Sequence, residues 1–81
     1  MARGIPLKIQ NAVVDVLIAR RKKLGLSHEK LASLAGVTRP AISLVESRKR
    51  NPTLLMCLKL TQALDLPFSD VMLAAEKLTN K

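Results

Sequence analysis

Aromatic side chains are almost missing from this 81-residue chain: Phe68 stands alone, with no tyrosine or tryptophan. That scarcity disfavours RNA and single-stranded DNA as partners, because both are gripped by stacking bases on aromatic rings. Cysteine and histidine occur once each, as Cys57 and His28. A lone cysteine excludes an internal disulfide, and one Cys with one His cannot complete a zinc set, so no metal site is expected. The context expected is reducing and cytoplasmic. No nucleophile–base pair can be assembled from the pattern, so no catalytic residue, enzymatic activity or cofactor is assigned. Apolar runs fall well short of the ~20 residues a membrane span needs. Residues 1–7 carry Arg3 but lack the apolar run and small-residue cleavage site of a signal peptide. At 81 residues there is room for one domain, assigned to residues 1–81.

Acids are the scarce charge: six Asp and Glu against 14 Lys and Arg give a net charge of +8. Its placement matters more than its size. Between Arg20 and Arg50 stand nine bases and only Glu29 and Glu46, so this stretch carries seven of the eight charges. Such a concentrated basic field is the footprint of a polyanion binder. A membrane surface is the weaker reading, because the apolar face of the basic first helix is claimed by the core and lacks interfacial Trp or Phe.

Hydrophobic spacing predicts five helices and no strands, an all-α fold. Ile9, Ala12, Val13, Val16, Leu17 and Leu24 place the first over residues 8–23, ending in Arg20–Lys23 before Gly25. Ser27 caps a second helix over 27–35 with Leu31, Leu34 and Ala35 on one face. Gly36 is a hinge and Thr38 a second cap. A third helix over 38–47 then buries Ile42 and Val45 and leaves Arg39, Ser43 and Leu44 free. A helix pair hinged at a glycine is the helix-turn-helix, whose second helix can lie in the DNA major groove. The basic loop Arg48-Lys49-Arg50-Asn51-Pro52 follows, with Pro52 opening a fourth helix over 52–64 that buries Leu54, Cys57, Leu58, Leu60 and Leu64. Pro67 opens a fifth over 68–78, and residues 79–81 are expected to fray.

Residues 20–66 resemble the Cro/C1-type (XRE) helix-turn-helix domain. The resemblance rests on Arg21, Gly25-Leu26-Ser27, Leu31-Ala32, Gly36-Val37-Thr38, Ile42-Ser43, Glu46 and Arg50-Asn51-Pro52, followed by Leu58 and Leu64. It implies a compact five-helix, lambda-repressor-like domain that binds double-stranded DNA and regulates transcription. In size the chain is also similar to restriction–modification controller proteins and to some antitoxins, which leaves a toxin-type protein partner as an alternative.

The resemblance further implies roles for single residues. Arg39 stands where the family reads a base edge, and Arg can donate two hydrogen bonds to guanine. A phosphate contact is its other reading. Leu44 either packs on a thymine methyl or fills space against helix two, and Ser43 serves a base or a phosphate. Phosphate contacts are expected from Ser27, His28, Thr38, Arg48, Lys49, Arg50 and Asn51. Arg21 and Glu46 are expected to form a structural ion pair.

Three positions depart from the family pattern. His28 replaces a common Gln. Pro40 sits where a polar reader is frequent, so it offers a base only van der Waals contact and moves the cap toward Arg39. Arg48 replaces a helix-ending Gly, so either it takes a left-handed conformation or the helix runs on. Family members usually bind as two-fold dimers, and Leu55, Phe68, Val71, Met72 and Ala75 supply an expected homodimer surface, closure of the monomer core being the other reading of Phe68 and Met72.

Overall fold

A computed structural model describes residues 5–80. The expectations for residues 1–4 (no targeting segment) and for Lys81 (a frayed end) lie outside it. Five helices follow in order: α1 Ile5–Lys23, α2 His28–Ala35, α3 Arg39–Glu46, α4 Leu54–Ala63 and α5 Phe68–Thr79. No strand occurs among the described residues. α1 and α5 pack along one another, α2 rests on α3 and α4, and α1 also touches α3.

The core between them is made of Ala12, Val13, Leu17, Leu31, Ala32, Ile42, Cys57, Leu60, Leu64, Val71 and Ala75. Removing a Leu or Val side chain from water contributes about 1.5–3 kcal/mol. Leu31, Ile42, Leu64 and Val71, each at most 2% exposed, are therefore the anchors. Thr61 is a buried polar residue, and its hydroxyl donates to the Leu58 carbonyl at 3.1 Å.

Helix starts follow the capping residues. The Ser27 hydroxyl accepts from the Lys30 N–H at 3.0 Å, that of Thr38 from Ala41 at 3.3 Å, and that of Thr53 from Met56 at 3.0 Å. Thr38 and not Arg39 caps α3, so the shift expected from Pro40 does not occur; Pro40 fits the first turn, where no N–H partner is needed. Thr53 likewise moves the start of α4 past Pro52 to Leu54. α1 begins at Ile5, three residues before the expected position, with Pro6 tolerated in its first turn. Thr79, expected to fray, is the last residue of α5.

Helix ends share one device. In α1–α4 the chain turns through a left-handed residue, and the next N–H reaches back to a carbonyl of the last turn. The turning residues are Gly25 (φ 70°), Gly36 (φ 69°), Arg48 (φ 65°) and Asp65 (φ 53°). The returning bonds are Leu26 to Arg21 (3.0 Å), Val37 to Ala32 (3.1 Å), Lys49 to Leu44 (2.9 Å) and Leu66 to Thr61 (3.0 Å). After the first two turns, Ser27 and Thr38 cap the next helix at once. Gly-Leu-Ser and Gly-Val-Thr are therefore complete stop-and-start connections.

Several expected core positions lie outside. Leu54 and Leu58 are 64% and 43% exposed, because Cys57, Leu60 and Thr61 occupy the inward stripe of α4. Leu24 and Leu34 are also exposed, with Ala32 taking the inward position on α2.

Candidate nucleic-acid interface

Glu46, the last residue of α3, organises the site. Its carboxylate accepts from Arg21 Nε at 2.7 Å and Arg21 Nη2 at 2.9 Å, a bidentate pair whose side chains are only 12% and 16% exposed. The remaining Arg21 nitrogen, Nη1, donates to the Leu26 carbonyl at 2.8 Å. His28 Nε2, from the first residue of α2, lies 2.9 Å from Glu46 Oε1. One carboxylate thus ties the end of α1, the start of α2 and the end of α3. Burial alone raises the Glu46 carboxyl, but the hydrogen bonds and positive charge of Arg21 and His28 outweigh it and hold it below the usual carboxylate range.

The first turn of α3 faces outward. Arg39, Pro40 and Ser43 are exposed and line one open hollow of about 290 Å³. Leu44 is half-buried and does not line it. Arg39 also borders a second cleft of about 350 Å³ with Arg21, Ser27, His28 and Glu29. The start of α2 and the start of α3 thereby present arginine, hydroxyl and imidazole groups along one continuous edge.

Not every cation of the basic stretch is available. Arg20 donates to the carbonyls of Leu64 (3.0 Å) and Asp65 (3.3 Å), closing the end of α4. Arg48 does take the left-handed conformation, at a cost of about 1–2 kcal/mol for a residue with a Cβ. Its guanidinium turns onto α1, bonding Asp15 and the Asn11 carbonyl (3.3 Å), and also the Glu46 carbonyl (3.3 Å). This tether occupies the side chain expected on phosphate. The His28 imidazole is engaged by Glu46 through Nε2, which leaves Nδ1 without a hydrogen-bond partner among the described residues.

Asn51 accepts from Gln10 Nε2 at 3.0 Å, which fixes the loop after α3 against α1. Lys22, Lys23, Lys30, Arg39, Lys49 and Arg50 remain exposed with no side-chain hydrogen bond among the described residues. Gln10, Asp15 and Arg20 are parts of this machinery that spacing and charge did not single out. Their partners lie 33–45 residues away, so no local pattern announces them.

The expected dimer residues separate into two sets. Leu55 is 61% exposed, next to Leu54 and Leu58 on the outer face of α4. Val71 and Ala75 are fully buried in the core, so they have no surface to offer a second subunit. Phe68 and Met72 are half-buried, packed against that core. The Cys57 thiol is buried, and desolvation pushes its titration upward, away from any nucleophilic role. No described helix is long and apolar enough to cross a membrane.

Two short helices closed by a glycine turn, the second presenting an outward Arg and Ser, define a helix-turn-helix unit on a five-helix scaffold. The chain belongs to the Cro/C1-type helix-turn-helix family, whose pattern it matches over residues 17–71. It is 39% identical over 60 residues to an uncharacterized HTH-type transcriptional regulator of Haemophilus influenzae, covering 74% of this chain and 61% of that one. It is 42% identical over 64 residues to a putative HTH-type transcriptional regulatory protein of Methanocaldococcus jannaschii, covering 79% of this chain but only 19% of that one. YgzD of Bacillus subtilis, an uncharacterized HTH-type transcriptional regulator, is 37% identical over 51 residues, 63% of this chain and 77% of its own. A crystal structure of a point mutant of the restriction–modification controller protein C.Esp1396I superposes with a TM-score of 0.78 at 27% identity, over 90% of this chain and 97% of that one.

Glu46→Gln tests the clamp. At pH 7 the variant should lose about 2–3 kcal/mol in urea unfolding, because Arg21 keeps only a neutral partner in a mostly buried place. The Glu46 carboxyl titrates below its ordinary 4.5 in the folded protein. Its contribution is therefore present above that value and is lost as pH falls through the folded one. The variant's stability should accordingly fall less than the wild type's between about pH 5 and pH 3.

Proposed function

We propose that this chain is a sequence-specific duplex-DNA-binding transcriptional regulator that acts as a homodimer on a two-fold symmetric operator. The observation that carries this reading is the exposed first turn of α3, with Arg39, Pro40 and Ser43 on a helix whose far end is locked by Glu46. Arg39 donates two hydrogen bonds to guanine O6 and N7, worth about 1–3 kcal/mol of discrimination, while Ser43 serves the neighbouring base or phosphate. Pro40 restricts its contribution to packing, and Leu44 takes part only through the portion of its side chain left exposed. Lys49 and Arg50 supply phosphate contacts from the loop, and Ser27, Thr38 and Asn51 do so at its margins.

A single recognition helix gives modest specificity, and two subunits reading half-sites about 34 Å apart supply the remainder. Leu54, Leu55 and Leu58 form the apolar surface for that contact, with Phe68 and Met72 contributing their exposed edges. Likeness to a restriction–modification controller over nearly its full length supports a gene-control role, and cytoplasmic action is part of the same proposed reading.

Titrating duplexes across a salt series separates the roles. Arg39→Gln should weaken binding to the preferred duplex by about 1–3 kcal/mol and leave other duplexes unchanged. Arg50→Gln should weaken all duplexes alike and reduce the salt slope by about 0.9 per subunit. Equal losses on every duplex for both variants would remove Arg39 from base readout.

Sedimentation velocity tests the interface. Leu55→Glu should convert the dimer to monomer with its helical content intact, because a carboxylate would be desolvated at the contact. An unchanged dimer would exclude the outer face of α4.

A further inference from the structure

We propose that duplex binding is coupled to uptake of a fraction of a proton per subunit by His28, which makes DNA affinity pH-dependent. This rests on the duplex-binding reading above and adds a regulatory property to it. The premise is the contact between His28 Nε2 and Glu46 Oε1 at 2.9 Å. An ionised carboxylate only accepts hydrogen bonds, so Nε2 must carry a hydrogen. In a neutral imidazole that assignment leaves Nδ1 as a bare acceptor. Phosphate oxygens are acceptors too, so a phosphate meeting neutral His28 faces a lone pair. Protonation converts Nδ1 into a donor without disturbing the bond to Glu46.

The surroundings favour this. His28 lines the 350 Å³ cleft with Arg21, Ser27, Glu29 and Arg39, and its side chain is 29% exposed, within reach of a ligand. The ionisable groups facing it are Glu46 and Arg39 from α3, Arg21 from α1 and Glu29 beside it on α2. Arg21 is neutralised by its bidentate pairing with Glu46, and Arg39 remains without a side-chain partner among the described residues. A phosphodiester drawn to Arg39 brings a second negative charge to the ring. The imidazolium then lies between the Glu46 carboxylate, which is there with or without DNA, and a phosphate that arrives only with DNA and favours the charged form. By reciprocity, whatever favours the proton when DNA is bound favours DNA when the proton is bound. Affinity must therefore fall as pH rises.

His28 is the only histidine of the chain, so the test reads one side chain. The probe is a mixed-sequence duplex at fixed low ionic strength, titrated calorimetrically in two buffers of different ionisation heat. The wild type should take up about 0.3–0.6 proton per subunit near pH 7, and its affinity should drop about three- to tenfold between pH 6 and pH 8. His28→Gln retains an N–H donor for Glu46 but cannot titrate; its affinity should change less than about twofold over the same range. Ring resonances of the wild-type imidazole give a readout independent of the variant's folding, and duplex must move their titration to higher pH. Binding without proton uptake, an unmoved imidazole titration, or the same pH slope in His28→Gln would overturn the proposal. Absence of duplex binding at every pH would be a different failure, removing the reading beneath it as well.

Discussion

The Glu46 carboxylate is the constraint on which the arrangement depends. Helix pairs joined by a few residues can cross at many angles, and neither α2 nor α3, at eight residues each, would hold its shape alone. Core contacts through Leu31 and Ile42 press the two together. The bidentate bond from Arg21 and the contact with His28 fix how they are turned relative to α1. Hydrophobic burial is non-directional, whereas a carboxylate holding a guanidinium fork accepts one geometry. Orientation of the first turn of α3 is therefore set about two turns away, at its other end.

The same economy governs the connections. Gly25 and Gly36 take left-handed conformations at little cost, and their roles were legible from the sequence because glycine is the default there. Arg48 and Asp65 perform the same turn without that freedom; the left-handed turn at Arg48 was one of two readings of its departure from the family pattern, whereas nothing marked Asp65. Arg48 is held by its bonds to Asp15, Asn11 and Glu46, so the strained residue is also a strut between the loop and α1. The α4 start was misplaced for a related reason: Pro52 is a familiar opening signal, but Thr53 owns the hydroxyl that caps the helix.

Helix count, helix-turn-helix position and the Arg21–Glu46 pairing could all be read from residue types at short spacing or from the family pattern. Long-range partners could not. Periodicity says that a leucine recurs on a face, but which face meets the core depends on where the other helices lie. Leu54 and Leu58 therefore read as core and stand outside, while Val71 and Ala75 read as surface and are buried completely. Charge counting treated nine basic residues of 20–50 as one field. Three of them, Arg20, Arg21 and Arg48, instead hold carbonyls and carboxylates within the fold. What remains for an outside partner is a smaller set centred on Arg39, Lys49 and Arg50.

In the reading proposed above, a short reading surface combined with an apolar outer face on α4 leaves the burden of specificity to the pairing of two subunits. Selection of bound sequences from a random duplex library tests this most directly, since it reports sequence, symmetry and spacing together. The account predicts an enriched inverted repeat whose half-sites lie about one helical turn apart, each containing a G·C pair whose enrichment disappears in Arg39→Gln. Recovery of no preferred sequence, or of a single half-site without its symmetric mate, would contradict it.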